Sequence, residues 1–430
     1  MCTIKKLHAT LLTLCLSSLA LVSCGTKGDK SAQAPEAGNR VPTDTGLDES
    51  EGGADGNKLA ALESRFLNFV GDKLSEKAER LAGRSSELDQ AVEALCQSGS
   101  MQDLEKAKLA WKKLAGVWEQ IELYQLGPLT ENAATLRYQI TNWPDAVNTC
   151  RIDMDVMKAY KSGEVAKLSG RLNRQGLTAA EYLLFEPSLK ASCPASVPVL
   201  EEWKQLDDQQ KRIGRCLYLK AVTSDLTLRT KELNAQWGPV GQNPLSVSLN
   251  DSARKDFLQL VFNNLFYANH EMKYLKVIGP AGLDAKYCPS SPTACPDAAQ
   301  YPYAKFSIQA LGENLNAIFE LVSGDDKMPG FKDLLQLEDS EKGSLAAQSV
   351  LSTIKNMQDL TSKQDKSLVD LLDTASPLEC QSLGEDGKTD EKAWLCELQA
   401  ALRNLASEFK DQFSAILKLK APQVAQGDND

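Results

Sequence analysis

Histidine is nearly absent: a chain of 430 residues holds two, His8 and His270. His8 lies in the N-terminal segment expected to be removed, and the one histidine left cannot build a His-rich metal site; a Ser-His-Asp relay would have to use His270. That residue sits in the helix-like run FNNLFYANHEMKYLK, where a lone histidine reads as a surface or packing residue. No Gly-rich phosphate loop occurs, and neither His-Glu-x-x-His nor Gly-x-Ser-x-Gly is present. Alternating apolar and polar runs of strand period are scarce, which argues against a sheet-based fold. The apolar run Leu11 to Leu21 is too short to span a bilayer. No basic stripe stands out in a chain of net charge −10, which excludes nucleic acid as a partner.

What is present begins with an export signal. Lys5 and Lys6 give a positive start, the apolar run follows, and small residues close it in Leu21-Val22-Ser23-Cys24-Gly25. The Leu-x-Ser-Cys ending resembles the bacterial lipobox, which implies removal of residues 1–23 as a signal peptide and acylation of Cys24. Several acyl chains, at about 0.8 kcal/mol per buried CH₂, make a stable membrane anchor. Gly25 in place of Asp favours the outer membrane, so the expected location is the bacterial cell envelope, with the body facing the periplasm or the cell surface. Residues 24–56 carry almost no large apolar side chain and read as a disordered tether. Loss of Lys5 and Lys6 takes the net charge from −10 to −12. Anionic lipid surfaces should repel such a body, which leaves the anchoring to the lipid.

Eight cysteines follow Cys24: Cys96, Cys150, Cys193, Cys216, Cys288, Cys295, Cys380 and Cys396. An even number in an exported chain reads as disulfides, since exported thiols oxidise and none of the spacings is Cys-x-x-Cys. Pairing of neighbours gives Cys96–Cys150, Cys193–Cys216, Cys288–Cys295 and Cys380–Cys396, although spacing alone does not fix connectivity.

Helical periodicity runs through the body. Leu104, Ala107, Trp111, Leu114, Trp118 and Ile121 step by three and four, and so do Leu395, Leu398, Leu402, Leu405, Phe409, Phe413 and Ile416. Ser100 with Asp103 marks a helix start, and Asn250 with Asp251 another. Single helices are expected over 199–237, 303–322, 344–375 and 389–419. The segment Gly238-Pro239-Val240-Gly241-Gln242-Asn243-Pro244 leaves four helices before it and four after it. The expected architecture is all-α: two four-helix-bundle-like domains packed side by side, 57–237 and 248–421.

The order of several motifs resembles the imelysin-like family, in its lipoprotein branch. WKKLAGVWEQIELYQLGP at 111–128 is followed by Ile140-Thr141-Asn142-Trp143-Pro144 and by Asn148-Thr149-Cys150-Arg151-Ile152-Asp153. Then Gly176-Leu177-Thr178-Ala179-Ala180-Glu181 stands where the family has Gly-x-His-x-x-Glu. Lys276 to Pro280, Tyr303-Ala304-Lys305-Phe306-Ser307 and Asn314-Leu315 extend the likeness. The resemblance implies two helical bundles with a site between them, an envelope location, and iron or haem as the species handled.

Thr178 replaces the motif histidine. Threonine is a poor first-row metal ligand, and one carboxylate cannot supply the three protein ligands of a typical catalytic zinc. A metallopeptidase is therefore disfavoured, and no catalytic residue is assigned. The candidate ligand-binding residues are Glu181 and Thr178 on one helix face, with Arg151, Asp153 and Lys305 joining if the bundles meet there. Gly176 opens the helix, and Trp143 is held in a rigid turn by Pro144, either as a cover on the bundle or as a stacking surface. The expected function is non-enzymatic binding of a small ligand, metal complex or envelope protein at the interdomain cleft. The alternatives are an envelope scaffold with a vestigial cleft, in which Glu181 pairs with a cation, and a peptidase.

Overall fold

The computed structural model describes residues 50–194, 196–197, 199–246, 249–372, 380 and 393–423. The signal segment and Cys24 lie outside the described residues, as does the tether up to residue 49. Among the described residues there is no strand, and the all-α expectation holds. No helix among them is long and apolar enough to cross a membrane.

The first long helix, α1, runs Ser50–Ser98. It takes in residues 50–56, which the sequence assigned to the tether. Gly99 in the left-handed region ends it, and Ser100 starts α2 (Met101–Glu122) by accepting from the Asp103 amide at 3.1 Å. Four more helices follow: α3 (Glu131–Ile140), α4 (Thr149–Ser162), α5 (Gly176–Phe185) and α6 (Val199–Gln205). The continuous helix expected over 199–237 is broken after Gln205. Asp207 is extended there, and it opens α7 (Asp208–Trp237) with a capping box to Gln210. Asn250 caps α8 (Asp251–Asn264) as expected.

Beyond α8 the expected helices are subdivided. A π-helix occupies Ala268–Ile278. The helix expected from 303 starts at Ser307, because Lys305 holds a positive φ of 53° and turns the chain. The stretch expected as one helix over 344–375 is split into Ser340–Ser362 and Leu368–Leu372, with Phe331–Glu338 before them. The last helix, Ala393–Glu408, continues through a π-turn at Phe409–Phe413 and ends where Lys418 turns left-handed.

Two separate bundles divided at 238–247 are not what the packing draws. The described residues from 50 to 423 form one compact unit. Helix α1 packs on α2 and α7, and also on α8 and on Phe331–Glu338 from the second half. Phe66 of α1 meets Phe331 with ring centroids 4.7 Å apart, and α2 packs along Ser307–Ser323. The amphipathic stripes are real; what they bury against is partly the other half of the chain, so one hydrophobic core runs through both halves.

Four disulfides join the eight cysteines. Cys288–Cys295 and Cys380–Cys396 are paired as expected. The other two are exchanged: Cys96 bonds Cys216, and Cys150 bonds Cys193. The antiparallel packing of α1 on α7 brings the end of α1 beside the first turns of α7, so Cys96 meets a residue 120 positions away in place of its sequence neighbour.

Candidate functional site

Helix α5 is set by its glycine. Gly176 has φ +73°, and a Cβ there would lie 2.5 Å from the Ile140 carbonyl oxygen, so only glycine lets α5 start against the end of α3. The indole of Trp111 donates to the Leu177 carbonyl at 3.0 Å and fixes the first turn from the α2 side. One turn further on, Glu181 points at the segment 300–307. It is 1% exposed. The Ala304 amide donates to its Oε1 at 2.9 Å, and the Tyr303 amide also donates to it. No cation faces it among the described residues. Burial pushes its carboxyl up to about 8, and the two amides only partly offset this. Thr178, one turn earlier on the same face, is buried with its hydroxyl unpartnered among the described residues.

A second polar cluster lies on the other side of segment 300–307. Lys276 of the π-helix donates to Glu119 Oε2 at 2.5 Å, to Glu122 Oε2 at 3.3 Å and to Asn314 Oδ1 at 2.7 Å. Glu119 Oε1 accepts from Tyr301 at 2.8 Å and from Gln300 at 3.0 Å. Glu122 accepts from Tyr267 at 2.7 Å and from Arg137 at 3.2 Å. All four charged groups are buried. Burial raises the Glu119 carboxyl beyond what Lys276 can reverse, and neighbouring Glu122 adds to the rise. Burial acts on Glu122 too, but Lys276 and Arg137 together outweigh it and its carboxyl titrates lower than usual.

Segment 300–307 therefore joins the two clusters. Gln300 and Tyr301 bind Glu119, the amides of Tyr303 and Ala304 bind Glu181, and Ser307 donates back to the Gln300 carbonyl. Tyr301 and Lys305 hold φ of 56° and 53°, a left-handed conformation that costs a non-glycine residue roughly 1–2 kcal/mol each. The surrounding hydrogen bonds hold that strain in place.

The sequence-derived residues divide accordingly. Gly176, Thr178 and Glu181 lie together. Trp143 is buried after a cis Trp143–Pro144 bond, with Lys276 Nζ 5.0 Å from its ring, so it covers the second cluster as a packing residue. Arg151 is exposed, and its guanidinium lies 3.5 Å from Met154 Sδ, away from Glu181. Asp153 is buried on a different face, where it accepts from Tyr182 at 3.0 Å and from the amide and hydroxyl of Ser192 at 2.7 and 2.8 Å. Lys305 turns outward to pair with Asp370. The grouping of Arg151, Asp153 and Lys305 with Glu181 is thus corrected. Each of the three side chains meets a partner other than Glu181.

Sequence reasoning missed Glu119, Glu122 and Lys276. The available signal was two acids, spaced i and i+3, next to Trp118 and Ile121 on the apolar face of α2. Charges at such positions are buried and need partners. The fit of a bare metal ion to the first cluster is poor: Glu181 and Thr178 offer one carboxyl and one hydroxyl, and no group of three His, Cys, Asp or Glu side chains among the described residues could hold a metal.

The comparisons with known proteins match the fold. The imelysin family model (peptidase M75) covers residues 75–409. An imelysin-like protein from Psychrobacter arcticum superposes with a TM-score of 0.61 at 18% identity, covering 84% of this chain and 98% of its own. A protein from Parabacteroides distasonis assigned as an iron-regulated protein A precursor gives 0.57 at 17% identity, over 82% and 95%. No curated protein matches the chain.

Proposed function

Because the chain belongs to the imelysin family, we propose that it is a non-enzymatic binding lipoprotein of the bacterial envelope, anchored through Cys24, which holds a metal complex against Glu181 and Thr178 in iron or haem acquisition. The observation that carries this reading is the state of Glu181. A carboxyl 1% exposed, without a countercharge among the described residues and held up to about 8, is mostly protonated near neutral pH. Beside it the buried Thr178 hydroxyl has no partner among the described residues, and a protonated carboxyl adds a donor to that pair. A metal ion already complexed needs from the protein only shape and hydrogen bonds, which suits this pair better than a bare ion. The name of the Parabacteroides relative supports the link to iron.

The test is calorimetric titration of the full chain with haem, ferric and ferrous iron, copper and zinc, run beside Glu181→Ala. The expected result is saturable haem binding that weakens about tenfold in the variant, or about 1.4 kcal/mol. Absence of binding for every one of them would remove the iron and haem readings together. Anchoring is read separately: Cys24→Ser should move the protein from the membrane fraction to the soluble one.

A further inference from the structure

We infer that the cavity where α2, α8 and the π-helix meet binds a small organic cation that also carries a carbonyl group, such as an amino-acid amide bearing an amine or guanidinium. The cavity is distinct from Glu181 and has a volume of about 390 Å³, within the roughly 300–1,000 Å³ usual for small-molecule sites.

Its chemistry is one-sided. Among the described residues, Glu271 is the only Asp, Glu, Lys or Arg in its lining. Glu271 Oε1 accepts from Gln125 at 3.2 Å and lies 3.5 Å from His270 Nδ1, and neither contact uses Oε2. The C-termini of α2 and α8 both end at this wall, through Leu123 and Asn264, and their carbonyl ends favour positive charge. Leu260 and Phe266 supply apolar surface for a methylene arm.

Asn264 sets the second requirement. It is 5% exposed, and its Oδ1 is taken by the Gln125 amide at 3.0 Å. Its Nδ2 has no hydrogen-bond partner among the described residues. A buried amide donor at a cavity wall calls for an acceptor, and a ligand carbonyl supplies one. The C-terminal segment reaches the cavity too. Gln259 exchanges two hydrogen bonds with the backbone of Lys420, at 2.8 and 2.9 Å, and the chain then lays Pro422 on the cavity. Asn269, His270 and Glu271 of the π-helix also line the cavity, and proteins use that form mostly in single turns and often at functional sites.

The experiment is calorimetry of the full chain with three probes: L-argininamide (cation and carbonyl), agmatine (cation alone) and N-acetylleucinamide (carbonyl alone). L-argininamide should bind best. Glu271→Gln keeps the shape and should weaken it about tenfold, while Asn264→Leu should erase its advantage over agmatine. Melting curves of both variants show whether they fold, and Glu271→Gln, at a partly exposed position, reads the proposal even if Asn264→Leu does not fold. Glu181→Ala should leave this binding unchanged, which separates it from the haem reading. No saturable binding of L-argininamide at millimolar concentration, or equal binding by Glu271→Gln, would overturn the assignment, as would equal binding of N-acetylleucinamide.

Discussion

Lys276 Nζ sits between the carboxylates of Glu119 and Glu122, 2.5 and 3.3 Å away, and so joins a helix of the first half to the π-helix of the second. Removal of one partner from a buried ionic cluster strands the others, at a cost of about 3–5 kcal/mol. Lys276→Met should therefore lower the urea midpoint strongly, and Lys276→Met with Glu119→Gln should recover part of the loss. Equal midpoints for wild type and Lys276→Met would show that the cluster contributes nothing to stability.

Glu181 makes stability depend on pH in a defined direction. Its carboxyl titrates near 8 in the fold against an ordinary 4.5. The folded protein thus holds a proton that the unfolded chain has released between those values. The contribution is fully present below about pH 4.5 and is lost as pH rises through about 8. Melting temperature should fall across this window, and Glu181→Gln, which cannot ionise, should flatten the fall. A pH profile identical in the two proteins would contradict the assignment.

The same carboxyl accepts the Ala304 amide at 2.9 Å. In Glu181→Ala, the amides of Tyr303 and Ala304 lose their acceptor inside the protein. Hydrogen exchange at these two positions should accelerate, while exchange in the body of α1 stays unchanged.

Gly176 tolerates no side chain. Gly176→Ala meets both a positive φ and the Ile140 carbonyl at 2.5 Å, so destabilisation of about 2–4 kcal/mol is expected from chemical denaturation. Gly163→Ala is the control: its φ is also positive, but no atom lies within 4 Å of the added Cβ, and its cost should be about 1 kcal/mol.

Non-reducing peptide mapping should recover Cys96 with Cys216 and Cys150 with Cys193. Replacing Cys96 and Cys216 together by serine should cost about 2–5 kcal/mol, since that bond closes a long loop.

Local signals carried much of the fold. Ser100 and Asn250 cap where their side chains say they should, and the stripe from Trp111 to Ile121 is buried as periodicity demands. What stayed illegible was set by distant partners. Nothing near Cys96 reveals that α7 returns beside it, and nothing near Lys305 reveals Asp370. The left-handed turn at Lys305, which shortens an expected helix, is held by tertiary hydrogen bonds and not by a turn-forming residue. The mutual placement of Gly176, Thr178 and Glu181 was legible because three residues on one helix keep their relative places whatever the helix packs against. Arg151, Asp153 and Lys305 came from other segments, and side-chain direction decided against them.

The exchanged disulfides bear on the order in which the chain can be oxidised. The Cys150–Cys193 bond is nested inside the loop that Cys96–Cys216 closes. A chain emerging N-terminus first offers Cys96 the thiols of Cys150 and then Cys193 before Cys216 appears. Pairing by first encounter would trap Cys96 with the wrong partner. Native connectivity therefore requires either that α7 dock on α1 before the thiols are committed, or that a thiol exchange catalyst undo early mistakes. In the second case, yield of this protein from an oxidising compartment tracks the supply of such a catalyst more closely than the supply of oxidant.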